Sequence, residues 1–236
     1  MHRLTLSIVA IGALAVASPA VAAPRSAPNH KISHSTSSNW SGYDVTGHGP
    51  YSSVSSSWVV PAVNCTATAY SSFWVGLDGD TTNTVEQTGT DSDCNGLTPS
   101  YFGWYEMYPK FPANFGGKVA PGDMLSASVT VGGRGVFTLV LSNATRGWTA
   151  TTSQMSKKAR LGSAEVIAEA PSSSGGVLPL ANFGKVNFGA SNVNGVSLAS
   201  QPGLDPITMV QSNNQPKATP SGISSTGAFS VTWNHS

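Results

Sequence analysis

Positive charge and sulfur are scarce in this sequence. Lysine and arginine are absent from residues 32–109, and the 236-residue chain has only two cysteines, Cys65 and Cys94. Neither cysteine has another Cys or a His at zinc-ligand spacing, so we predict no metal site and no other cofactor. Without Arg3, Arg25 and Lys31, 9 basic residues stand against 11 acidic ones. That balance is not typical of a nucleic-acid-binding protein, and we expect no nucleic-acid partner.

Apolar runs long enough to cross a bilayer are also missing. The apolar run Leu4–Ala17 follows the basic start Met1-His2-Arg3 and precedes small residues that end at Ala22 or Ala23. This is the pattern of a cleaved secretory signal peptide, and the run is shorter than the roughly 20 residues of a membrane-spanning helix. We therefore expect residues 1–23 to be removed and the mature protein to be secreted, monomeric and free of the membrane.

The two cysteines of an exported protein are expected to pair. A Cys65–Cys94 disulfide closes a loop of about 30 residues, which stabilises the fold by roughly 3 kcal/mol in the chain-entropy model.

Residues 24–37 contain Pro, Ser, Asn and basic residues with almost no apolar ones, which predicts a short pro-segment or a disordered tail. Residues 38–236 then suit one domain with a sizeable core.

The body of the chain lacks the 3.6-residue apolar period of helices. Short alternating or β-branched runs recur instead, separated by Gly, Asn, Pro and Asp. This pattern predicts an all-β fold, a sandwich of antiparallel strands in one domain without internal repeats. The expected strands are Val54–Val60, Ser72–Leu77, Tyr101–Tyr108, Leu125–Val131, Gly135–Ser142, Ser163–Ala170, Gly184–Phe188 and Phe229–Trp233.

Histidine is nearly absent as well, which limits the chemistry available. The body holds only His48 and His235, neither in a setting that suggests a serine triad, and there is no pair of D-T/S-G loops and no phosphate-binding loop. Carboxylates and amides remain. Gln87, in the segment VEQTG, offers neutral N–H donors that hold an oxygen gaining negative charge, although an ordinary strand hydrogen bond is the favoured explanation for a glutamine taken alone.

Strand alternation groups the polar residues with aromatic ones. In the segment AEVIAEAP, the side chains of Glu165, Ile167 and Glu169 share one face, which is unusual both for a core and for a plain solvent face. An edge strand with surface glutamates is the alternative. The same rule pairs Trp74 with Asp78, Gln87 with Asp91, and Trp104 with Glu106. Aromatics interleaved with acids and an amide indicate a cleft that grips an extended polymer.

Five motifs, taken in order, resemble a known family. They are Ser38-Asn39-Trp40-Ser41-Gly42, Trp74-Val75-Gly76-Leu77-Asp78-Gly79, Gln87-Thr88-Gly89, Trp104-Tyr105-Glu106-Met107-Tyr108-Pro109 and Ala164-Glu165-Val166-Ile167-Ala168-Glu169. Together they resemble the glutamic peptidases (eqolisins, peptidase family G1, formerly A4), here in a bacterial-type secreted member. The resemblance implies a β-sandwich of two curved antiparallel sheets, lectin-like (concanavalin-like) in outline.

The resemblance also implies roles for individual residues. The catalytic pair maps onto Gln87 and onto the second glutamate of its strand, Glu169, not onto Glu165. The supporting or cleft residues are Asp78, Asp91, Trp74, Trp104, Glu106 and Glu165. Val166 replaces a common aromatic and Glu86 stands where an apolar residue is usual, but by alternation both face away from the pair.

The implied reaction is hydrolysis of peptide bonds in polypeptide substrates. An ionised Glu169 acts as general base on a water, Gln87 donates to the developing oxyanion, and Glu169 then passes the proton to the leaving nitrogen. Neighbouring carboxylates raise one another's pKa, so we expect activity to favour acid pH.

Two other functions remain open at this point. A glycoside hydrolase needs two carboxylates about 5–10 Å apart, whereas Glu165 and Glu169 on one strand lie roughly 13 Å apart. A non-catalytic lectin-like module that binds carbohydrate would keep the aromatics but need neither Gln87 nor Glu169.

Overall fold

The computed structural model describes residues 36–80 and 82–236, so the expected signal peptide and most of the 24–37 segment lie outside the described residues. Each of the eight expected strands is present, with ends shifted by at most three residues. Within the described ranges there is no α-helix, and therefore none with the length and apolarity needed to cross a membrane. The all-β prediction is confirmed.

Nineteen strands and two short 3₁₀ helices, Gly133–Gly135 and Leu198–Ser200, are found in the described part of the chain. The strands are β1 (Thr36–Ser37), β2 (Trp40–Thr46), β3 (Ser53–Val59), β4 (Ser72–Leu77), β5 (Val85–Asn95), β6 (Thr98–Tyr108), β7 (Ala113–Lys118), β8 (Met124–Val131), β9 (Val136–Asn143), β10 (Trp148–Met155), β11 (Ser163–Glu169), β12 (Ser172–Ser173), β13 (Gly176–Val177), β14 (Lys185–Phe188), β15 (Asn192–Val193), β16 (Val196–Ser197), β17 (Leu204–Val210), β18 (Pro216–Pro220) and β19 (Phe229–Trp233).

The strands form two antiparallel layers that share one strand. The first layer has the order β17-β2-β11-β4-β5-β6-β7. The second runs β10-β9-β8-β3-β14-β19-β18-β17, with the β15–β16 hairpin also on β3. β17 therefore joins the layers at one side, and the short β1 pairs with it in parallel. A separate hairpin consists of β12 and β13.

The hydrophobic core fills the space between the layers. The first layer contributes Tyr43, Val75 and Val166, among others, and the second contributes Trp58 and Leu139. Because side chains alternate along a strand, the remaining residues of the first layer project from its other side. We call that side the site face; it carries its own apolar cluster of Trp40, Trp74, Val85, Trp104, Ile167 and Ile207.

The ordered domain begins earlier than its composition suggests. Thr36 and Ser37, which the sequence places in the N-terminal tail, form β1 and pair with Thr208 and Met209. The Ser37 side chain is buried. Polar residues here are held by strand pairing and local hydrogen bonds, which composition alone does not reveal.

The expected disulfide is present. Cys65 and Cys94 are bonded, 29 residues apart in sequence, and tie the segment before β4 to the end of β5. The backbones of Ala69 and Cys94 also exchange hydrogen bonds at this point. The bond thus braces the strand that carries Gln87 at its other end.

Replacing both cysteines by serine should lower the free energy of unfolding by roughly 3–4 kcal/mol in the loop-entropy model, without changing the groups on the site face. Chemical denaturation of the double variant and of the oxidised protein measures the difference. Two thiols that react with a disulfide reagent in native, unreduced protein would contradict the pairing.

Candidate active site

Strand pairing aligns four polar side chains and one glycine in a single row across the site face. Gln87 on β5 pairs with Glu106 on β6 and with Gly76 on β4. Gly76 pairs in turn with Glu165 on β11, which pairs with Asp44 on β2. Glu165 is therefore level with Gln87, separated from it only by a residue that has no side chain.

Glu169 belongs to a second row. It pairs with Trp40 on β2 and with Ser72 on β4, and Ser72 pairs with Asp91 on β5. Four residues along a strand span roughly 13 Å, so the two rows lie well apart at the level of the backbone. Any joint action of Gln87 and Glu169 depends on what lies between the rows.

Trp74 fills that space. Its indole Nε1 donates a hydrogen bond of 2.8 Å to Glu169 Oε2. The opposite edge of the ring overlies Gly76, where an added Cβ would lie 2.9 Å from Trp74 Cζ3 and 3.2 Å from Gln87 Cβ. Trp40 packs edge-on against the same ring, with centroids 5.1 Å apart. Gln87 and Glu169 therefore border the same indole from two sides.

The Gln87 amide is held in one orientation and keeps unused hydrogen-bonding capacity. Its Nε2 donates to Glu106 Oε2 at 2.6 Å, so the NH₂ end of the amide faces the Glu106 carboxyl group. Within the described residues Oε1 has no hydrogen-bond partner, and the second N–H donates to none. Gln87 is only 1% exposed. A buried amide left partly unsatisfied costs about 1–3 kcal/mol, which is expected where a substrate or water binds.

Neutral donors surround Glu169. Asn39 Nδ2 donates to its Oε1 at 3.0 Å, and Trp74 donates to its Oε2. Burial is the main cause that raises the pKa of Glu169, to about 8; the indoles of Trp74 and Trp40 and the Asn39 amide oppose this, while Asp91 adds to it. Below about pH 8 Glu169 thus carries a proton. This differs from the ionised base that the family resemblance implies.

Asp91 and Trp104 form a fixed unit beside Glu169. Asp91 Oδ1 accepts hydrogen bonds of 2.6 Å from both Trp104 Nε1 and Ser72 Oγ. All three side chains belong to the site face, and Ser72 stands between Asp91 and Glu169 in their row. Asp91 thereby anchors one aromatic wall and brings a carboxyl group near Glu169.

Asp78 does not lie beside Trp74 on the site face, where strand alternation predicts it. It follows β4 with φ of 66°, so the alternation that pairs it with Trp74 ends before it. Its carboxylate accepts backbone N–H bonds from Arg160, Leu161 and Gly162 at 2.7–3.0 Å. Asp78 therefore anchors the loop that leads into β11, the strand of both glutamates.

Glu165 lies in a group of buried carboxyls. Burial, followed by the charges of Asp44, Asp78 and Asp80, raises the pKa of Glu165 well above its ordinary value, although Ser163 opposes this. Burial, and then the charge and hydrogen bond of Asp80, raises the pKa of Asp44 to about 9. Below about pH 9 Asp44 holds a proton, which lessens the repulsion between the carboxyl groups.

The structure brings most of the predicted site residues to one face and adds others. On it lie Gln87, Glu165, Glu169, Trp74, Asp91, Trp104 and Glu106, whereas Asp78 lies beyond the end of β4. Sequence reasoning missed Asn39, Trp40, Asp44 and Ser72. Alternation along β2 was a usable signal for Trp40 and Asp44, but no sequence signal marks Asn39 or Ser72 as neighbours of Glu169.

Comparison with known proteins agrees with this geometry. The model of the Peptidase A4 family matches residues 38–233, and the chain therefore belongs to that family. It is 36% identical over 112 residues to scytalidopepsin B of Scytalidium lignicola, covering 47% of this chain and 42% of that protein. Aspergillopepsin-2 of Aspergillus niger is 28% identical over 177 residues, covering 64% and 62%. The chain thus spans about half the length of these relatives.

Solved structures of similar fold carry peptide-like ligands. A scytalido-glutamic peptidase bound to a peptide-based transition-state analogue superposes with a TM-score of 0.71 at 28% identity, over 84% of this chain and 98% of that one. SCP-B, of the eqolisin family, bound to the tripeptide Ala-Ile-His, gives a TM-score of 0.68 at 26% identity over the same shares. The family-level resemblance and the single-domain β-sandwich are confirmed.

The buried carboxyls predict a fold that is most stable in acid. A group whose folded pKa is raised loses its contribution as pH rises through that value, here about 8 for Glu86 and Glu169 and about 9 for Asp44. The melting temperature should therefore fall between about pH 5 and pH 9.

Thermal unfolding measured across this pH range tests the expectation. Asp44→Asn removes a carboxyl whose pKa is raised to about 9 and should flatten the decline. Asp123→Asn is the matched control, because Arg146 and Asn143 hold the pKa of Asp123 below its ordinary value against the effect of burial. A melting temperature that rises between pH 5 and pH 8 would contradict the account.

Proposed function

We propose that the protein is a secreted endopeptidase of the glutamic type, in which Glu169 and Gln87 act together on the scissile peptide bond. The observation that carries the proposal is the placement of both side chains against the Trp74 indole, with free hydrogen-bonding capacity on Gln87. Membership of the Peptidase A4 family supports the reaction class. Secretion and a bacterial type remain predictions from the sequence.

The raised pKa of Glu169 determines how it enters the reaction. At acid pH the neutral Glu169 carboxyl donates its proton to the scissile carbonyl oxygen. The other oxygen of the same carboxyl takes a proton from the attacking water. Glu169 is therefore neutral again after the attack. The tetrahedral intermediate is a neutral diol. The carboxyl then protonates the leaving nitrogen, the C–N bond breaks, and a diol hydroxyl returns a proton to Glu169.

Gln87 completes the site from the other side of the ring. Its second N–H stabilises the oxygen that develops charge as the carbonyl is attacked, and Oε1 accepts a hydrogen from the attacking water. Glu106 fixes the amide so that both functions keep their direction. The pair thus needs no cation, which is consistent with the absence of Lys and Arg from residues 32–109.

Glu165 is the competing candidate for the acid–base role, because strand register puts it level with Gln87. Its surroundings favour Glu169. Glu165 is completely buried, and the nearby charges of Asp44, Asp78 and Asp80 all oppose its ionisation. Glu169 instead receives hydrogen bonds on both oxygens from neutral donors, which lets it lose and regain a proton. No observation favours the glycoside hydrolase or the lectin-like module.

Glu169→Gln and Gln87→Ala should each reduce peptide hydrolysis by at least about 10²–10³-fold, the usual effect of losing such a group. Glu165→Gln should retain most activity. The measurement is the rate of hydrolysis of an acid-denatured protein, with circular dichroism to verify the fold. An active Glu169→Gln together with an inactive Glu165→Gln would mean that the glutamates are assigned the wrong way round.

The pH profile should be bell-shaped, with a maximum below about pH 6. Activity should fall to near zero above about pH 8, because Glu169 then loses the proton that it donates. The acid limb reports another carboxyl group of the site that must be ionised for activity. Initial rates from pH 2 to pH 9 test this.

Inhibitors provide an independent check of the reacting groups. Thiol and serine reagents and chelators should leave activity intact, since the proposed pair consists of a carboxyl and an amide. Inactivation by a chelator, or a maximum at pH 8 or above, would assign the reaction to other groups.

A further inference from the structure

Asn39 is part of the motif Ser38-Asn39-Trp40-Ser41-Gly42, yet the roles given above do not include it. Its side chain is completely buried and donates from Nδ2 to Glu169 Oε1 at 3.0 Å, across 130 residues of sequence. Its backbone carbonyl accepts a 2.8 Å hydrogen bond from Ala170 N, the residue after Glu169. Asn39 therefore contacts the proposed catalytic strand through both side chain and backbone.

Ser37 fixes the orientation of the Asn39 amide. Ser37 Oγ donates a hydrogen bond to Asn39 Oδ1 at 3.2 Å. Ser37 Oγ also accepts hydrogen bonds from the backbone N–H of Asn39 at 3.3 Å and of Trp40 at 3.1 Å. Because the hydroxyl engages the carbonyl end of the amide, the NH₂ end faces Glu169. Ser37 is itself placed by β1, which pairs with Met209 on β17.

We propose that Asn39, oriented by Ser37, is a positioning residue that fixes the Glu169 carboxyl for proton transfer. The inference rests on the proposed catalytic role of Glu169. With Asn39 at Oε1 and Trp74 at Oε2, the Glu169 carboxyl group is held by one hydrogen bond on each oxygen. A fixed direction for proton transfer lowers the barrier without any contact between Asn39 and substrate.

The pH dependence distinguishes this role from packing. Trp40 on β2, Trp74 and Ser72 on β4, and Asp91 on β5 face Glu169 from the neighbouring strands, and Asp91 is the acidic group among them. Donors such as Asn39 favour the ionised carboxylate, so loss of the Asn39 donor raises the pKa of Glu169. The alkaline limb of activity should then move to higher pH.

Asn39→Asp and Asn39→Ala together test the proposal. Asp keeps the shape of the side chain and replaces the amide donor by a carboxyl, whose own charge also raises the pKa of Glu169, whereas Ala removes the donor and adds no charge. The kinetic constants kcat and KM, measured from pH 3 to pH 9.5, should show kcat reduced about tenfold or more and KM little changed. The alkaline limb should rise by about one pH unit. Asn39→Ala should move the limb in the same direction, which provides a second variant if the first does not fold.

Asn143→Asp is the matched control. Asn143 is equally buried, and its Nδ2 donates to the carboxylate of Asp123 at 2.8 Å, but it belongs to β9 of the other layer. This variant should lose stability and keep the wild-type limb and kcat.

The outcomes separate this inference from the proposed function. If the wild-type protein hydrolyses protein, depends on Glu169, and keeps its alkaline limb and kcat in both Asn39 variants, Asn39 is merely structural and the inference is wrong. If Asn39→Asp and Asn143→Asp shift the limb equally, the effect is one of stability and the inference is again wrong. If Glu169→Gln remains active, the proposed function itself fails.

Discussion

The hydrogen bond between the Trp74 indole and the Glu169 carboxyl is the interaction on which the site depends. The register of the first layer keeps Gln87 and Glu169 in different rows, and the Trp74 indole spans the gap between them. Two glycines make room for it. A Cβ at Gly76 would lie 2.9 Å from the ring. One at Gly89 would lie 2.6 Å from Trp74 Cβ and would clash with the Phe73 carbonyl oxygen. Glycine at these positions is therefore a requirement of the site.

Buried carboxyls without cations define the electrostatics of the same region. A Lys or Arg beside Glu169 would favour the ionised form and remove the proton that the proposed reaction uses. The hydrogen bonds that Glu169 receives come from neutral donors, the Asn39 amide and the Trp74 indole. Protonation of Asp44, Glu165 and Glu169 limits the free-energy cost of burying their carboxyl groups. Protonation of buried carboxyls therefore favours both the stability and the activity of the protein in acid.

Much of the fold followed from the sequence because strand signals are local. Alternation placed Glu165 and Glu169 on one face, and the two cysteines of an exported chain paired as expected. The register between strands is not local. Pairings between residues far apart in sequence place Glu165 level with Gln87. The same pairings let Trp74 bridge the two rows.

Failures of the sequence reasoning have specific causes. Alternation does not place Asp78 beside Trp74, because Asp78 follows β4 with positive φ; it instead supports the site by anchoring the loop before β11. Asn39 reaches Glu169 across 130 residues, which no motif spacing indicates. The raised pKa of Glu169 arises mainly from burial, and burial is known only once the layers are assembled.

The most direct test of the catalytic pair is a crystal structure at acid pH with a peptide that carries a tetrahedral phosphinate in place of the scissile bond. The account predicts one phosphinate oxygen within hydrogen-bonding distance of Gln87 Nε2 and another within that distance of the Glu169 carboxyl, beside the Trp74 ring. A phosphinate bound between Gln87 and Glu165, or away from Gln87, would contradict it.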